Sequence, residues 1–505
     1  MPSGRLFKNI SYSYAAVFVN LVGGIAVFPI LLRAIGKEKY GLFVLFLTYS
    51  ATGIYSFLDL GLRNSAVKYI AEDNALGNTE GVLKIINTVF SFLLLATAAS
   101  VVVNVFIYFF FLDGWLASLS HEVVKYKYLF YVFTCFNVVF FIRTALDSFL
   151  DGFQRIDDSS KAMMAQGILL MAGTCVIAVY FTARAFELYV YFVLLLEALT
   201  VLYLAIACKR VFPQFRFSAS MASRETFRRI RGLGMNFFVN RLNGVAFSQA
   251  PKIILGAYSI STLAEFDIVF KFSNLMKLSM GSINRAIFPL TSGHHAERNY
   301  DKIKTTFVLS TLFSTAFASA IAVFIMVFPD KLLYFWLKDP SYQNLAGVLA
   351  YSVIWAFPVS FINAGSVMLG AVNEIRRAVA WTAAGTVLSV ASAVWLVDVW
   401  GLYGMFTALF IASLFPVPIY FILIKEKLQI PYKTIGSSVL LRSFIIIASL
   451  TAICLTGRYV FVMDSLGKML ATGMIVLLAS GLMSILLLSK GERALVSGVA
   501  FGKKW

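Results

Sequence analysis

Long apolar runs are the feature that most constrains how this chain folds. Residues 93–112 read LLLATAASVVVNVFIYFFFL, a stretch without charge that is long enough to cross a bilayer as a helix. Such runs recur along the whole sequence between short polar loops, which leaves no stretch for a sizeable soluble domain. The composition agrees, because 60% of the residues are hydrophobic and only 13% are charged. Soluble domains are less apolar and carry more charge. We therefore expect an integral membrane protein.

Hydropathy predicts an all-α polytopic membrane protein with about fourteen transmembrane helices. A membrane barrel would instead show weak alternation over segments of about ten residues. The first apolar run continues through Leu32 without a small-residue cleavage site, so we expect a retained first helix rather than a signal peptide. The predicted spans are 10–34, 40–62, 84–112, 126–150, 160–182, 187–208, 232–257, 264–288, 305–328, 343–370, 376–398, 403–424, 436–457 and 466–489.

The spans suggest two pseudo-symmetric six-helix bundles followed by two extra C-terminal helices. A weak internal repeat supports this organisation, since GLRNSAVKYIA from Gly61 and GSINRAIFPLT from Gly281 share Gly, Asn and Ala at matching offsets. Repeated halves are the common plan of carriers, which bind substrate at the repeat interface near the midplane. The predicted parts are an N-terminal bundle at 1–208, a basic cytoplasmic linker at 209–231, a C-terminal bundle at 232–425, and two helices with a cytoplasmic tail at 426–505.

Basic loop residues indicate the orientation of the chain in the membrane. With a cytoplasmic N-terminus, most of the Lys and Arg outside the spans fall in cytoplasmic segments, the richest of which is KRVFPQFRFSASMASRETFRRIRG from Lys209. We therefore expect both termini to be cytoplasmic. Contact with anionic headgroups explains much of the net charge of +18, and no nucleic acid partner is needed.

The sequence contains no motif typical of a metal or cofactor site. The four cysteines and three histidines lack the spacings of a disulfide framework or a metal site. A Gly-rich phosphate loop ending in Lys-Ser or Lys-Thr is also absent, so we do not expect ATP to drive the protein.

Charged residues within the seventh span are the strongest functional signal. On a helix, Arg241 and Lys252 share one face with Ser248, and neither cation has an acid three or four residues away. A charge in hydrocarbon costs at least about 2.5 kcal/mol, so we expect these cations to face a wet cavity. Pro251 precedes Lys252 and can kink the helix, which would serve either gating or packing.

Spans eight and four repeat this pattern. Asp267, Lys271, Asn274 and Arg285 lie on one side of span eight, and Arg143 and Asp147 are spaced i, i+4 in span four. Either the acids only pair with these cations and hold helices together, or the cations belong to the same polar pathway.

Cations that outnumber acids in a cavity favour an anionic ligand, and phosphate or diphosphate suits them because Arg presents a fork of donors to phosphate oxygens. Asn240 and Asn274 would then bond either sugar hydroxyls or neighbouring helices. Asp59 is expected to pair with Arg63 at i+4. Glu197 stands alone in span six, where it would serve either as a proton or cation site or as a protonated, hydrogen-bonded group.

Five stretches carry a resemblance to a known family. Segments of the polysaccharide flippases, the Wzx-type O-antigen and capsule-unit translocases, are similar to ILLRAIGKEKYGLFVLF, YSFLDLGLRNSAVKYIAEDNA, LDSFLDGFQRIDDSS, GAYSISTLAEFDIVFKFSNL and INRAIFPLTSG. That family belongs to the multidrug/oligosaccharidyl-lipid/polysaccharide exporter superfamily, which also holds the lipid II flippase and the MATE drug exporters. The resemblance covers roughly residues 10–425.

The resemblance implies a function as well as a fold. It implies a non-enzymatic flippase of the bacterial inner membrane that moves undecaprenyl-diphosphate-linked oligosaccharide to the outer leaflet by alternating access. The expected partners are that glycan lipid, membrane lipid and a polysaccharide polymerase complex, with the flippase itself a monomer. The alternatives are a flippase for lipid II or a teichoic-type precursor, and a MATE-like drug or cation antiporter. The substrate-binding candidates are Arg241, Lys252, Lys271, Arg285, Asn240, Asn274 and Arg143, and the coupling or gating candidates are Asp267, Asp147, Glu197, Asp59 and Pro251.

Overall fold

The structure, a computed structural model, describes the backbone of residues 3–119, 121–460, 464–489 and 492–493. Within these ranges some side chains are not described, namely those at 3–10, 14, 64, 119, 121–122, 219, 232–237, 239–240, 278–279, 281–286, 289 and 460. The described residues form helices and turns without a β-strand. The all-α prediction is therefore confirmed.

Two compact units divide the chain between Ala264 and Glu265. The first unit contains α1 (Ser3–Ile35), α2 (Lys37–Thr48), α3 (Leu62–Ala75), α4 (Thr79–Phe110), α5 (Leu112–Leu119), α6 (His121–Val124), α7 (Phe130–Gly152), α8 (Ile156–Tyr180), α9 (Ala185–Val211) and α10 (Arg224–Tyr258). Short 3₁₀ segments lie at Ile54–Asp59, Lys127–Leu129, Thr182–Arg184 and Ala219–Met221.

The second unit contains α11 (Ile260–Ala296, whose first turn precedes the division), α12 (Tyr300–Val327), α13 (Pro329–Leu337), α14 (Ala346–Ser352), α15 (Ala356–Ala371), α16 (Arg376–Leu414), α17 (Val417–Leu428), α18 (Tyr432–Thr434), α19 (Leu441–Val460) and α20 (Leu466–Leu486). Pro340–Leu345 and Val353–Trp355 are 3₁₀, and Ile435–Leu440 is a π-helical turn.

Ten helical segments of the described chain are long and apolar enough to cross a membrane. One of them, Arg376–Leu428, contains two of the predicted spans, 376–398 and 403–424. The loop predicted between these spans coincides with a bend in α16 at Gly401, whose φ is 55°. The predicted spans without a counterpart among the ten are 40–62, 232–257 and 264–288. The chain is a multi-pass membrane protein, and the count of fourteen spans stays a prediction.

The second predicted span is not one helix, which corrects the sequence analysis. α2 ends at Thr48, a 3₁₀ turn covers Ile54–Asp59, and α3 begins only at Leu62. Gly53 permits the break, because a Cβ at this position would lie 2.1 Å from the carbonyl oxygen of Thr48. We call residues 49–61 the broken segment.

Buried asparagines from α4 and α7 satisfy the backbone of the broken segment. Asn137 accepts a hydrogen bond from the N–H of Ala51 at 2.6 Å, and Asn104 donates to the carbonyl of Tyr49 at 3.3 Å. Tyr55 donates its hydroxyl to Asn104 at 2.6 Å. A helix break inside a membrane protein requires such partners, because hydrocarbon offers no hydrogen bonds.

The predicted linker packs on the first unit. Between α9 and α10, Phe215 lies 5.1 Å from Phe149 and Phe217 lies 5.5 Å from Phe90, measured between ring centroids. The side chain of Asn87 accepts a hydrogen bond from the N–H of Ser218 at 2.6 Å. By its contacts α10 also belongs to the first unit, since it packs on α2, α3, α4 and the Ile54–Asp59 turn. The four-part division predicted from the sequence stays a prediction.

The second unit is organised around α12. Phe307 on this helix belongs to a buried cluster with Leu423 and Ile424 of α17, while Leu312 belongs to another with Leu450 of α19. In lipid, such contacts stabilise by close packing rather than by the hydrophobic effect. The last two helices, α19 and α20, thus share the core of this unit through α12.

Candidate functional site

Arg241 lies on α10 and pairs with Asp59 at the end of the broken segment. Nη1 of Arg241 donates a hydrogen bond to Oδ2 of Asp59 at 2.7 Å, and Oδ1 of the same carboxylate accepts from the N–H of Gly61 at 3.0 Å. Two partners therefore fix the Asp59 carboxylate in place.

The expected Asp59–Arg63 pair is wrong. Arg63 instead contacts Asp151 of α7 at 3.3 Å. An i, i+4 pair needs a continuous helix between its members, but Leu60 and Gly61 take positive φ angles of 48° and 70°. The break turns Asp59 towards α10, so its partner is distant in sequence.

Burial differs sharply across the Arg241–Asp59 pair. The Asp59 side chain is 2% exposed, whereas that of Arg241 is 37% exposed. The guanidinium is a planar fork of five donors, and Asp59 engages one of its nitrogens. Asp59 thus lies inside the protein, while more than a third of the Arg241 side chain is exposed.

A second charged cluster joins α7, α8 and α9 inside the first unit. Nη1 of Arg143 donates to Oε2 of Glu197 and to Oε1 of Gln166, both at 2.8 Å. Nε2 of Gln166 donates to the same Oε2 at 2.7 Å. Nε of Arg143 lies 3.6 Å from the carboxylate of Asp147, the pairing that the i, i+4 spacing predicts. We call these four residues the Arg143 cluster.

The Arg143 cluster contains one cation and two carboxylates. Glu197, which stands alone in its own span, thus has partners on the neighbouring helices α7 and α8. Its side chain is 3% exposed, and among the described residues its Oε1 atom has no hydrogen-bond partner. If both acids are ionised, the cluster holds one negative charge in excess. A proton or another cation arriving at Glu197 would neutralise that charge.

In the second unit, Lys271 donates a hydrogen bond to Asp267 one turn earlier on α11. Asp267 is buried, whereas the Lys271 side chain is 39% exposed. Asn274 follows on the same helix and is half-buried. The side chain of Arg285, the remaining candidate on α11, lies outside the described residues.

Pro251 and Lys252 lie apart from Arg241 on α10. Lys252 is about three turns further along the helix, and its side chain is half-buried. Pro251 is buried and α10 continues helical through it to Tyr258. The side chain of Asn240 lies outside the described residues.

Some polar partners were missed by the sequence analysis. Gln166, Asn104 and Asn137 each lie within an apolar span. Gln166 hydrogen-bonds in the Arg143 cluster, and the two asparagines hydrogen-bond the broken segment. An uncharged amide inside a membrane span is a usable signal, because burying it without a partner is costly. In the part of the chain that the structure describes, no group of three or more His, Cys, Asp or Glu residues is arranged to hold a metal ion.

Comparison with known families gives two matches. A family profile described as "Polysaccharide biosynthesis protein" matches residues 6–295, more than half of the chain. A second profile, described as "MatE", matches residues 238–395. No curated protein matches the sequence.

Several solved structures share the fold. The lipid II flippase MurJ in an inward closed conformation is similar with a TM-score of 0.66 at 16% identity, over 96% of this chain and 100% of that chain. An inward-facing multidrug resistance MATE family transporter of the MOP superfamily gives 0.63 at 18% identity, over 84% and 98% of the respective chains. A MATE protein in the bent conformation gives 0.55 at 18% identity, over 86% and 100%. At these identities the likeness concerns the fold and not the cargo.

Proposed function

The chain belongs to the polysaccharide biosynthesis protein family and has the fold of the MOP superfamily, and from this premise we propose that it is a flippase for lipid-linked oligosaccharide. It moves undecaprenyl-diphosphate-linked units from the cytoplasmic to the outer leaflet of the bacterial inner membrane, for surface polysaccharide assembly. The observation that carries this proposal is a partly exposed arginine, Arg241, on a helix of a membrane protein.

The diphosphate is the difficult part of such a cargo. Its charges would be extremely unfavourable in hydrocarbon without compensation. The Arg241 side chain is 37% exposed, and an arginine fork matches phosphate oxygens well. Lys252 in the first unit and Lys271 and Arg285 in the second are further candidate cations, and Asn240, Asn274 and Arg143 are candidate hydrogen-bond donors to the cargo.

Alternating access would move the cargo, and Glu197 would couple that movement to protons. The excess negative charge of the Arg143 cluster supports this role, because one proton at Glu197 would remove it. Among the candidate gating groups, Asp59, Asp147 and Asp267 act through the cations that they contact, and Pro251 acts through the shape of α10.

Translocation in proteoliposomes tests the cargo assignment. Wild-type protein should expose a fluorescent undecaprenyl-diphosphate-linked glycan on the opposite leaflet, and Arg241→Ala should reduce the rate by at least about tenfold, the loss of one charged hydrogen bond. Arg458→Ala is the matched control, since Arg458 is a half-exposed arginine of a membrane helix that also faces a carboxylate, Asp330. Normal rates for Arg241→Ala would contradict its role, and no movement by wild-type protein would contradict the function.

An imposed pH gradient tests the coupling. It should accelerate wild-type translocation but not that of Glu197→Gln, which keeps a hydrogen-bond acceptor and loses the carboxylate. Glu187→Gln, on the same helix α9, is the matched control. Equal acceleration of all three proteins would exclude Glu197 and favour drive by the membrane potential.

A MATE-like cation antiporter is the second candidate. The MatE profile match over residues 238–395 and the excess acid of the Arg143 cluster favour it. An antiporter of this kind would export cationic dyes, and Arg241→Ala would leave export unchanged. Competition among undecaprenyl-diphosphate glycan, lipid II and a teichoic-type precursor in the proteoliposome assay would separate the remaining alternatives.

Orientation and assembly belong to the same proposal. The protein works as a monomer with both termini in the cytoplasm, and it delivers cargo to a polysaccharide polymerase complex. Labelling of single cysteines near each terminus in intact cells should fail until the membrane is permeabilised. Labelling of intact cells would contradict this orientation.

A further inference from the structure

Arg241 is not an empty binding group, because the protein supplies its own anion. Asp59 occupies Nη1 of the guanidinium at 2.7 Å, in the position that a phosphate oxygen would take. A resident carboxylate and an arriving phosphate therefore compete for the same cation.

Asp59 also links the competition for Arg241 to the conformation of the broken segment. It is the last residue of the 3₁₀ turn Ile54–Asp59, it accepts the N–H of Gly61, and Leu60 follows with a positive φ. The turn packs against α10, and the Arg241–Asp59 ion pair ties the two elements together. Loss of the ion pair would release this turn from α10.

We propose that the Arg241–Asp59 pair is a latch that the cargo diphosphate opens. The inference rests on the proposed function and concerns the regulation of the same site. A phosphate oxygen approaches the exposed side of Arg241 and displaces Asp59 from Nη1. Asp59 keeps its bond to Gly61, and the broken segment separates from α10. Binding and opening are reciprocal, so whatever weakens the latch tightens the binding of the anion.

Equilibrium binding of inorganic pyrophosphate to the full chain in phosphatidylcholine nanodiscs provides the test. Asp59→Asn removes the competing charge while its amide oxygen still accepts the N–H of Gly61. This variant should bind pyrophosphate about tenfold more tightly than wild type, the equivalent of one charged hydrogen bond no longer broken. Arg241→Gln should lose binding. Asp151→Asn, which frees Arg63 and leaves the latch intact, should bind as wild type does.

Hydrogen exchange at the backbone amides of residues 54–61 gives a second readout, which reports on the broken segment directly. Pyrophosphate should accelerate exchange there in the wild type and leave it unchanged in Asp59→Asn, whose turn is already released. The same acceleration should follow when undecaprenyl diphosphate is added to the nanodisc, but not with phosphatidylglycerol at equal amount. A response to pyrophosphate but not to the lipid would overturn the assignment of the latch to a lipid-linked cargo.

Other outcomes separate the latch from the proposed function. Unchanged or weaker pyrophosphate binding by Asp59→Asn would overturn the latch. An equal gain in pyrophosphate affinity by Asp151→Asn would also overturn it, because removal of any nearby negative charge would then explain the gain. If wild-type proteoliposomes translocate the glycan lipid while Asp59→Asn binds as wild type does, only the latch fails. If they do not translocate but Asp59→Asn binds more tightly, the proposed function fails, and the pair still acts as a latch for a diphosphate anion.

Discussion

Replacement of Arg143 by Met should destabilise the first unit strongly, and the structure allows the magnitude to be worked out. The Arg143 side chain is 14% exposed and lies 2.8 Å from a Glu197 carboxylate that is 3% exposed. Removing one partner of a buried ion pair leaves an uncompensated charge and costs about 3–5 kcal/mol. Little of this is lost to solvent screening at such low exposure. We therefore expect the free energy of unfolding to fall by that amount.

The companion variant makes the prediction specific to the pair. Glu197→Gln alone should cost about 1.5–3 kcal/mol, the value of a hydrogen bond to a charged group. In the double variant no ionised Glu197 remains beneath the missing arginine. Its destabilisation should therefore be smaller than the sum of the two single effects by at least about 1.5 kcal/mol.

Equilibrium unfolding in mixed micelles, followed by tryptophan fluorescence, would measure the stability of the wild type, the two single variants and the double variant. Lys468→Met is the matched control, because it breaks an equally short pair with Asp464 that is open to solvent, and it should leave the unfolding midpoint unchanged. Additive single effects would refute the reasoning, since they would mean that Arg143 and Glu197 stabilise the unit independently.

Three further predictions concern other parts of the chain. Gly53→Ala should lower the yield of folded protein in detergent, because its methyl group would lie 2.1 Å from a backbone oxygen at the end of α2. Phe215→Ala should speed trypsin cleavage of the basic segment between α9 and α10, since its ring anchors that segment. Burial raises the pKa of Glu492, but the N–H of Ser489 and the guanidinium of Arg442 outweigh it and hold the pKa below its usual value. Docking of this C-terminal turn on α19 should thus be complete above pH 4.5 and weaken below it, seen as faster amide exchange after correction for intrinsic rates.

Hydropathy was sufficient for the class and for most of the spans, because a membrane helix must be long and apolar whatever its neighbours are. It failed at the second span. The stretch between Thr48 and Leu62 is apolar enough to continue a helix, and its break depends on Asn104 and Asn137, which are distant in sequence. A periodic pattern cannot report hydrogen bonds that another helix supplies.

The ion pairs also differ in how well the sequence predicts them. Pairs within one helix were predictable from spacing, as for Arg143 with Asp147 and Lys271 with Asp267. Pairs between helices were not, and Arg241, without an acid three or four residues away, has one that is 182 positions distant. Spacing therefore overestimates the number of unpaired cations in a membrane protein, because it detects only the acids on the same helix.

This difference changes how a charged cargo would be handled. Bare cations in a cavity would capture a diphosphate directly and would hold it strongly, which slows release. Arg241 and Lys271 each begin paired with a buried acid and each keep an exposed side. Binding at such a site is an exchange of one anion for another, so its net free energy is smaller than that of capture. The displaced carboxylate then competes to return, which favours release of the cargo. A flippase must release its cargo as readily as it binds it. Partly exposed cations that are paired with buried acids meet that requirement, whereas unpaired cations would not.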